Sequence, residues 1–255
     1  MSLEGRTMIV TGGNSGIGAE IVRAAGRAGA NIVIDYIANP EETERLAREV
    51  EDLGGRAVGV EADVTKPDDL HAMIRKAVDT FGGLDVLVNN AGMETRTSLL
   101  ETSVEDFDRV MDVNLKSVFF GAQAAARYFI DAKREGLIIN ISSVHEEWPM
   151  PGNTAYCVAK GGLRMLTRTA GVELGDKGVR MINVGPGAVA TPINRSTMDD
   201  PDKLAALEDS IPLGRMARPQ EIGELVAMLA TSAAGYLTAT TVFADGGIMQ
   251  GSVGL

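Results

Sequence analysis

Residues 7–18 read Thr7-Met8-Ile9-Val10-Thr11-Gly12-Gly13-Asn14-Ser15-Gly16-Ile17-Gly18, a β-branched, apolar run that breaks into a glycine cluster. Beyond it Ile17, Ile21, Ala24, Ala25 and Ala28 recur with helical spacing on one face. In a chain this rich in glycine, the spacing of Gly12, Gly16 and Gly18 arises by chance roughly 0.4 times. Between a first strand and a first helix, the chance falls to the order of 0.002. Glycines at such a turn permit a tight bend, let the backbone approach a pyrophosphate, and bring the helix close to the sheet. The helix N-terminus then offers unpaired N–H groups and a positive dipole end to phosphate oxygens. A plain glycine-rich turn is the lesser alternative.

Outward from that loop the chain alternates. Apolar runs predict strands over 31–36, 56–60, 84–89, 137–142, 179–184 and 240–244. Helical spacing predicts helices over 41–53, 68–81, 104–112, 115–133, 153–174 and 219–231. Strands separated by helices of this length imply a parallel sheet with right-handed crossovers. The expected fold class is α/β: a single doubly wound Rossmann-type domain over 1–255, with about seven parallel strands and helices on both faces. The stretch 191–216, rich in Asp, Pro, Ser and Met, is the candidate substrate lid, with a helical piece over 202–209.

Composition mostly excludes. Thirty glycines in 255 residues is roughly 12% against an average near 7%, yet without any G-X-Y repeat. A formal net charge of −11 and no basic cluster argue against nucleic acid as a partner. No apolar run is long enough for a membrane span, and the start lacks the pattern of a secretory signal. One cysteine, Cys157, permits no internal disulfide and suits a cytoplasmic location. Beside Tyr156 it reads as a small buried side chain rather than a nucleophile. His71 and His145 lack ligand spacing, so no metal is expected.

Several residues fall at the carboxyl ends of predicted strands, where open α/β sheets bind ligands. Asp63 and Val64 follow the third strand, and Asp63 can accept from an adenine amino group or cap a helix. Asn90, Ala91 and Gly92 follow the fourth, where small residues leave room for a ribose. Asp35 and Tyr36 end the second strand. A carboxylate there favours the free ribose diol of NAD, and Asn14, Ser15 and positions 35–44 hold no Arg or Lys for the extra phosphate of NADP. NAD is the expected cofactor, with NADP as the alternative if Asp35 is one position out of register.

Ser143, Tyr156 and Lys160 carry the chemistry. A Ser thirteen residues before a Tyr, with Lys four residues after it, occurs by chance roughly 0.005 times in this composition. Tyr156 and Lys160 share one helix face. A free phenol titrates near pH 10, too high for a base at neutral pH, but an ammonium and an oxidised nicotinamide ring both favour phenolate. Tyr156 then removes an alcohol proton, Ser143 bonds the reacting oxygen, and Lys160 also holds ribose hydroxyls.

In order and spacing these motifs resemble the short-chain dehydrogenase/reductase family over essentially the whole length. The resemblance rests on 11–18, Asp63-Val64, 89–92, Asn114, Ser143, Tyr156, Lys160 and Pro186-Gly187 with Thr191. It implies that Asn114 is a fourth catalytic residue supporting a water chain from Lys160; alone, Asn114 reads as a helix-kink or capping residue. It further implies that Pro186, Gly187, Val189 and Thr191 lie against the nicotinamide end. Residues 141–151, 183–194 and 243–247 are similar to the bacterial glucose 1-dehydrogenase subfamily. That similarity implies a small-molecule polyol or sugar substrate lined by Glu94, His145 and Trp148 beside Ser143 and Tyr156, although Glu94 and His145 read equally well as surface groups. Trp148 and Met150 make the site more apolar than a sugar site, and the tail over 249–255 differs from that subfamily. The family implies a homotetramer, for which Ala122, Ala125, Ala126, Ala155, Ala159 and Gly162 would let helices approach; packing on the sheet is the other reading, and the two are compatible. Two alternatives are a ketoreductase for steroid or acyl-carrier substrates and a non-catalytic nucleotide-binding regulator.

Overall fold

A computed structural model describes residues 2–251. Seven parallel strands form one sheet in the order β3-β2-β1-β4-β5-β6-β7. They are β1 (Thr7–Val10), β2 (Asn31–Tyr36), β3 (Arg56–Glu61), β4 (Val86–Asn89), β5 (Gly136–Ile141), β6 (Val179–Pro186) and β7 (Thr240–Ala244). Each lies where the apolar runs predict it. The order reverses between β1 and β4, so their carboxyl ends open a crevice at the switch point.

Strand side chains alternate between two cores. Met8, Val10, Ile32, Ile34, Val86 and Val88 face α1 (Gly16–Arg27) and α9 (Pro219–Leu229). Ile9, Val33, Leu87 and Ile138 face α3 (Pro67–Phe81) and α5 (Ser117–Asp131). Both sheet faces are covered, which explains strands that read as continuous apolar runs. Each fully buried Ile or Leu contributes about 1.5–3 kcal/mol over its exposed state.

Three elements differ from expectation. Helix α4 (Val104–Met111) runs into α5 through a π turn, Asp112–Lys116, so the two predicted stretches are one bent rod. A π turn takes up one extra residue, and Asn114 Nδ2 donates to Val110 O (2.9 Å) inside it. The stretch after β6 is more helical than its composition suggests: α7 (Arg195–Met198) and α8 (Pro201–Asp209) occupy it. Its ends are pinned together, Ala190 N–H donating to Ala217 O and Ala217 N–H to Ala188 O, both at 2.9 Å. The small residues on α5 and α6 (Thr154–Glu173) face inward: Ala122, Ala125, Ala126, Ala155 and Ala159 are buried, and a Cβ at Gly162 would meet Leu115 at 2.8 Å. They serve packing within the chain, because the outer faces of these helices carry Phe119, Phe120, Val158, Met165 and Val172 instead.

Candidate active site

A cleft of about 540 Å³ opens at the switch point, running from the glycine loop to Lys160. The loop needs its glycines. Gly12 and Gly16 have φ of +56° and +51°, a left-handed backbone that other residues adopt only under strain. A Cβ on Gly18 would lie 2.3 Å from Gly12 O and 2.6 Å from Asn90 Nδ2. Gly18 thus brings α1 against the loop and does not itself line the cleft.

Asn90 fastens the loop to β4. Its Nδ2 donates to Thr11 O (2.9 Å) and Gly12 O (3.1 Å), and the Asn90 and Ala91 N–H groups both donate to Thr11 Oγ1. On the other side Asn14 Nδ2 donates to Ala38 O (2.7 Å), Asn39 O (3.3 Å) and Thr43 Oγ1 (3.1 Å), tying the loop to the turn after β2. Ser15, Gly16, Ile17, Val64, Gly92, Pro186, Gly187, Val189 and Thr191 also line the cleft, Gly16 beside Thr191 and Gly92 beside Asn114.

Asp35 lines the cleft from beneath the loop. Gly12 N–H donates to its Oδ2 (3.0 Å), and Oδ1 is buried without a partner among the described residues. Burial, with Asp63 and Asp69 nearby, pushes the acid up to about 7. Tyr36 does not line the cleft; the next residue, Ile37, does, and is 71% exposed. Asp63 does not cap α3, whose N-cap is Lys66. It lines the cleft, while its Oδ1 accepts from Thr65 N–H and Oγ1, which holds the acid below the usual carboxylate range.

The reactive end is built by three elements. Ser143 ends the run from β5, Tyr156 and Lys160 face it from α6, and Asn114 reaches in from the π turn; all four line the cleft. The Ser143 hydroxyl lies on the Tyr156 phenol's side of the cleft and favours its ionised form. Lys160 is buried, donates to Ile141 O (2.8 Å), and sits 5.4 Å from the centre of the Tyr156 ring. The expected lowering of the phenol is reversed in the protein itself. Burial pushes Tyr156 up to about 12; the nearby Ser143 hydroxyl opposes this, and the charge of Glu94 adds to it. The Lys160 ammonium is bonded to a carbonyl rather than to the phenol oxygen.

Asn114 is fully buried and its amide is engaged, Oδ1 accepting from Met93 N–H (3.1 Å) and Nδ2 donating to Met93 O (2.8 Å) as well as Val110 O. It locks the turn after β4 against the helix, so the kink reading holds alongside the cleft position. Glu94, His145 and Trp148 border the cleft without lining it. Glu94 pairs with Arg96 and accepts from Asn153 Nδ2 (2.9 Å). The His145 ring stands edge-on to Tyr156 at 6.3 Å, and its Nδ1 lies 3.0 Å from Trp148 O. Glu146, which sequence reasoning passed over, is buried behind Ser143. Among the described residues no three His, Cys, Asp or Glu side chains cluster as metal ligands, and no helix is long and apolar enough to cross a membrane.

A parallel sheet with its cleft at the switch point and a glycine loop at one end defines a Rossmann-type architecture. The family model described as enoyl-(acyl carrier protein) reductase matches residues 12–249. The chain is 42% identical to 3beta-hydroxysteroid dehydrogenase 1 of Eggerthella lenta, covering 96% of this chain and 94% of that one. It is 38% identical to glucose 1-dehydrogenase 2 of Bacillus subtilis, covering 96% and 95%. A short-chain type dehydrogenase/reductase from Mycobacterium marinum superposes with a TM-score of 0.91 at 33% identity, covering 97% and 96%. The chain belongs to the short-chain dehydrogenase/reductase family. Its dehydrogenase relatives support oxidoreduction of an alcohol.

Proposed function

We propose that this protein transfers hydride between a secondary alcohol, a sugar or polyol by preference, and a nicotinamide dinucleotide. The observation that carries the reading is the convergence of Ser143, Tyr156 and Lys160 on a cleft whose other end is the glycine loop. The residues fit a dinucleotide: the loop lines the cleft, and Asp35 Oδ1 is a buried acceptor with no donor among the described residues. When bound, the nicotinamide supplies the carbon that takes up hydride and, oxidised, a positive charge beside the phenol. Tyr156 accepts the alcohol proton in oxidation and returns it in reduction. Ser143 donates to the reacting oxygen, Lys160 holds ribose hydroxyls and keeps a positive charge near the phenol, and Asn114 holds the wall at Met93. Glu94, His145 and Trp148 meet the rest of the substrate, and 191–216 closes over it.

A steroid or other ketone substrate is the second reading, favoured by the half-exposed Trp148 and by the relationship to a hydroxysteroid dehydrogenase. Initial rates with NAD and NADP across sugars, polyols and hydroxysteroids decide between them. Fast turnover of a sugar supports the first reading, and a steroid rate far above all sugars supports the second. Tight NADH binding with no turnover on any alcohol leaves a nucleotide-binding regulator.

NAD is the proposed cofactor because Lys160, at the reactive end, is the one Arg or Lys among the described residues that line the cleft. The substitution Ile37→Arg, at an exposed position on the cleft, is expected to raise kcat/KM for NADP about tenfold through one charge-assisted contact. An unchanged NADP preference removes this account of selectivity. The working unit proposed is a single domain acting as a cytoplasmic homotetramer, with the exposed Phe120, Met165 and Val172 meeting a second copy. Sedimentation measures its size.

A further inference from the structure

Four polar side chains stand in one row across an otherwise aliphatic sheet. Asn89 on β4 lies beside Asn140 on β5, Asn140 beside Asn183 on β6, and Asn183 beside Thr241 on β7. Asn140 and Asn183 are fully buried. Asn89 Nδ2 donates to Asn140 Oδ1 (2.8 Å), and Asn140 Nδ2 donates to Asn183 Oδ1 (3.2 Å). Thr167 on α6 joins from above, accepting from Asn140 Nδ2 (2.9 Å) and donating to Asn183 Oδ1 (2.5 Å). The row terminates on Glu146, whose carboxylate accepts from Asn183 Nδ2 (2.9 Å), Ser142 Oγ (2.6 Å) and Thr241 Oγ1 (2.5 Å).

A buried polar network of this size adds little net stability over a well-packed apolar row, so its retention calls for another reason. What it touches supplies one. Thr167 lies two helical turns beyond Lys160, so bonds to it fix the height of α6 over the sheet. Ser142 is the residue before Ser143, and Lys160 itself donates to Ile141 O, the residue before that. Two charged or titratable groups face Lys160: Glu146 from the turn after β5, and Tyr156 from its own helix. Glu94, Cys157 and the His145 ring, 6.3 Å away, face Tyr156 in turn. Burial pulls Lys160 down to about 8, and the charge of Glu146 opposes that pull.

We propose that Glu146 is a positioning residue of the reactive centre, holding the Ser142–Ser143 turn and placing a buried carboxyl group behind the strand end to which Lys160 donates. This rests on the dehydrogenase reading, and the test separates the two. In protein labelled at lysine 13Cε, with Lys160→Arg assigning the signal, Glu146→Gln is expected to lower the titration of Lys160 by about half a pH unit or more. The alkaline limb of kcat/KM for alcohol oxidation moves down with it, while KM for the dinucleotide stays within about twofold. A folded Glu146→Gln protein whose Lys160 titrates like wild type overturns the proposal. If that variant does not fold, Glu146→Asp, which withdraws the charge by one methylene, carries the test. A smaller shift in the same direction supports the proposal, and the wild-type titration overturns it. If wild type oxidises no alcohol, the dehydrogenase reading fails while the Lys160 titration still judges Glu146.

Discussion

Tyr156→Phe is expected to abolish turnover, by at least ~10³-fold in kcat, while leaving dinucleotide affinity within about threefold of wild type. General acid–base groups contribute typically 10²–10⁴-fold, and among the described residues no other proton acceptor lies as well placed: Ser143 is a weak base, Lys160 is bonded to Ile141 O, and His145 Nδ1 lies against Trp148 O. The substitution removes one hydroxyl beside Ser143, at about 1 kcal/mol of stability or less. The ring stays in place against Val110, Ala155 and Ala159, so the fold and the cleft persist. Stopped-flow hydride transfer paired with fluorescence titration of NADH reads both halves. Retention of more than a tenth of wild-type turnover removes Tyr156 from the chemistry.

The same side chain shows where sequence reasoning reaches its limit. Spacing alone brings Tyr156 and Lys160 to one helix face, since i and i+4 are neighbours whatever the tertiary structure. The sign of the phenol's shift depends on how deeply the ring is buried and where the ammonium points, and neither is local. The glycine loop was legible for the opposite reason: Gly12, Gly16 and Gly18 act through the backbone of contiguous residues. Asn114 lay between these cases. Its place in the family motif marked it, but only the π turn shows its amide spent on Met93 and Val110.

The Asn row left a readable trace. Asn89, Asn140 and Asn183 each interrupt an apolar strand run, and a polar residue inside a sheet covered on both faces demands a partner. What sequence withholds is the partner, 51 residues away for Asn89 and 43 for Asn140. Glu146 gives no such trace. It precedes Glu147 in a polar turn, yet one carboxylate is buried and the other lies exposed against Arg164. Only the register of β6 and β7 with β5 separates them.

Asp35→Asn is expected to stabilise the ligand-free protein at pH 8 by about 2–4 kcal/mol while weakening NAD binding. Asp35 titrates at about 7 in the fold because burial disfavours its charge, against about 3.9 in an unfolded chain. Below pH 4 the acid is protonated in both states and the fold retains its full contribution. Between pH 4 and 7 the unfolded chain ionises while the folded one does not, so stability falls as pH rises. Three units at ~1.4 kcal/mol each set an upper limit of ~4 kcal/mol. Asparagine does not titrate, and its Oδ1 still accepts from Gly12 N–H, so the difference between variant and wild type grows from near zero at pH 4 to its full size by pH 8. Urea denaturation at pH 4.5, 6 and 8 measures it, and parallel curves refute the buried-acid account. Affinity moves the other way. The amide presents a donor where Oδ1 offers an acceptor, so a ribose hydroxyl loses its partner and NAD binds about tenfold more weakly. A substitution that strengthens the fold and weakens the ligand together is what a strained binding group produces. If both quantities change in the same direction, Asp35 serves only to brace the glycine loop.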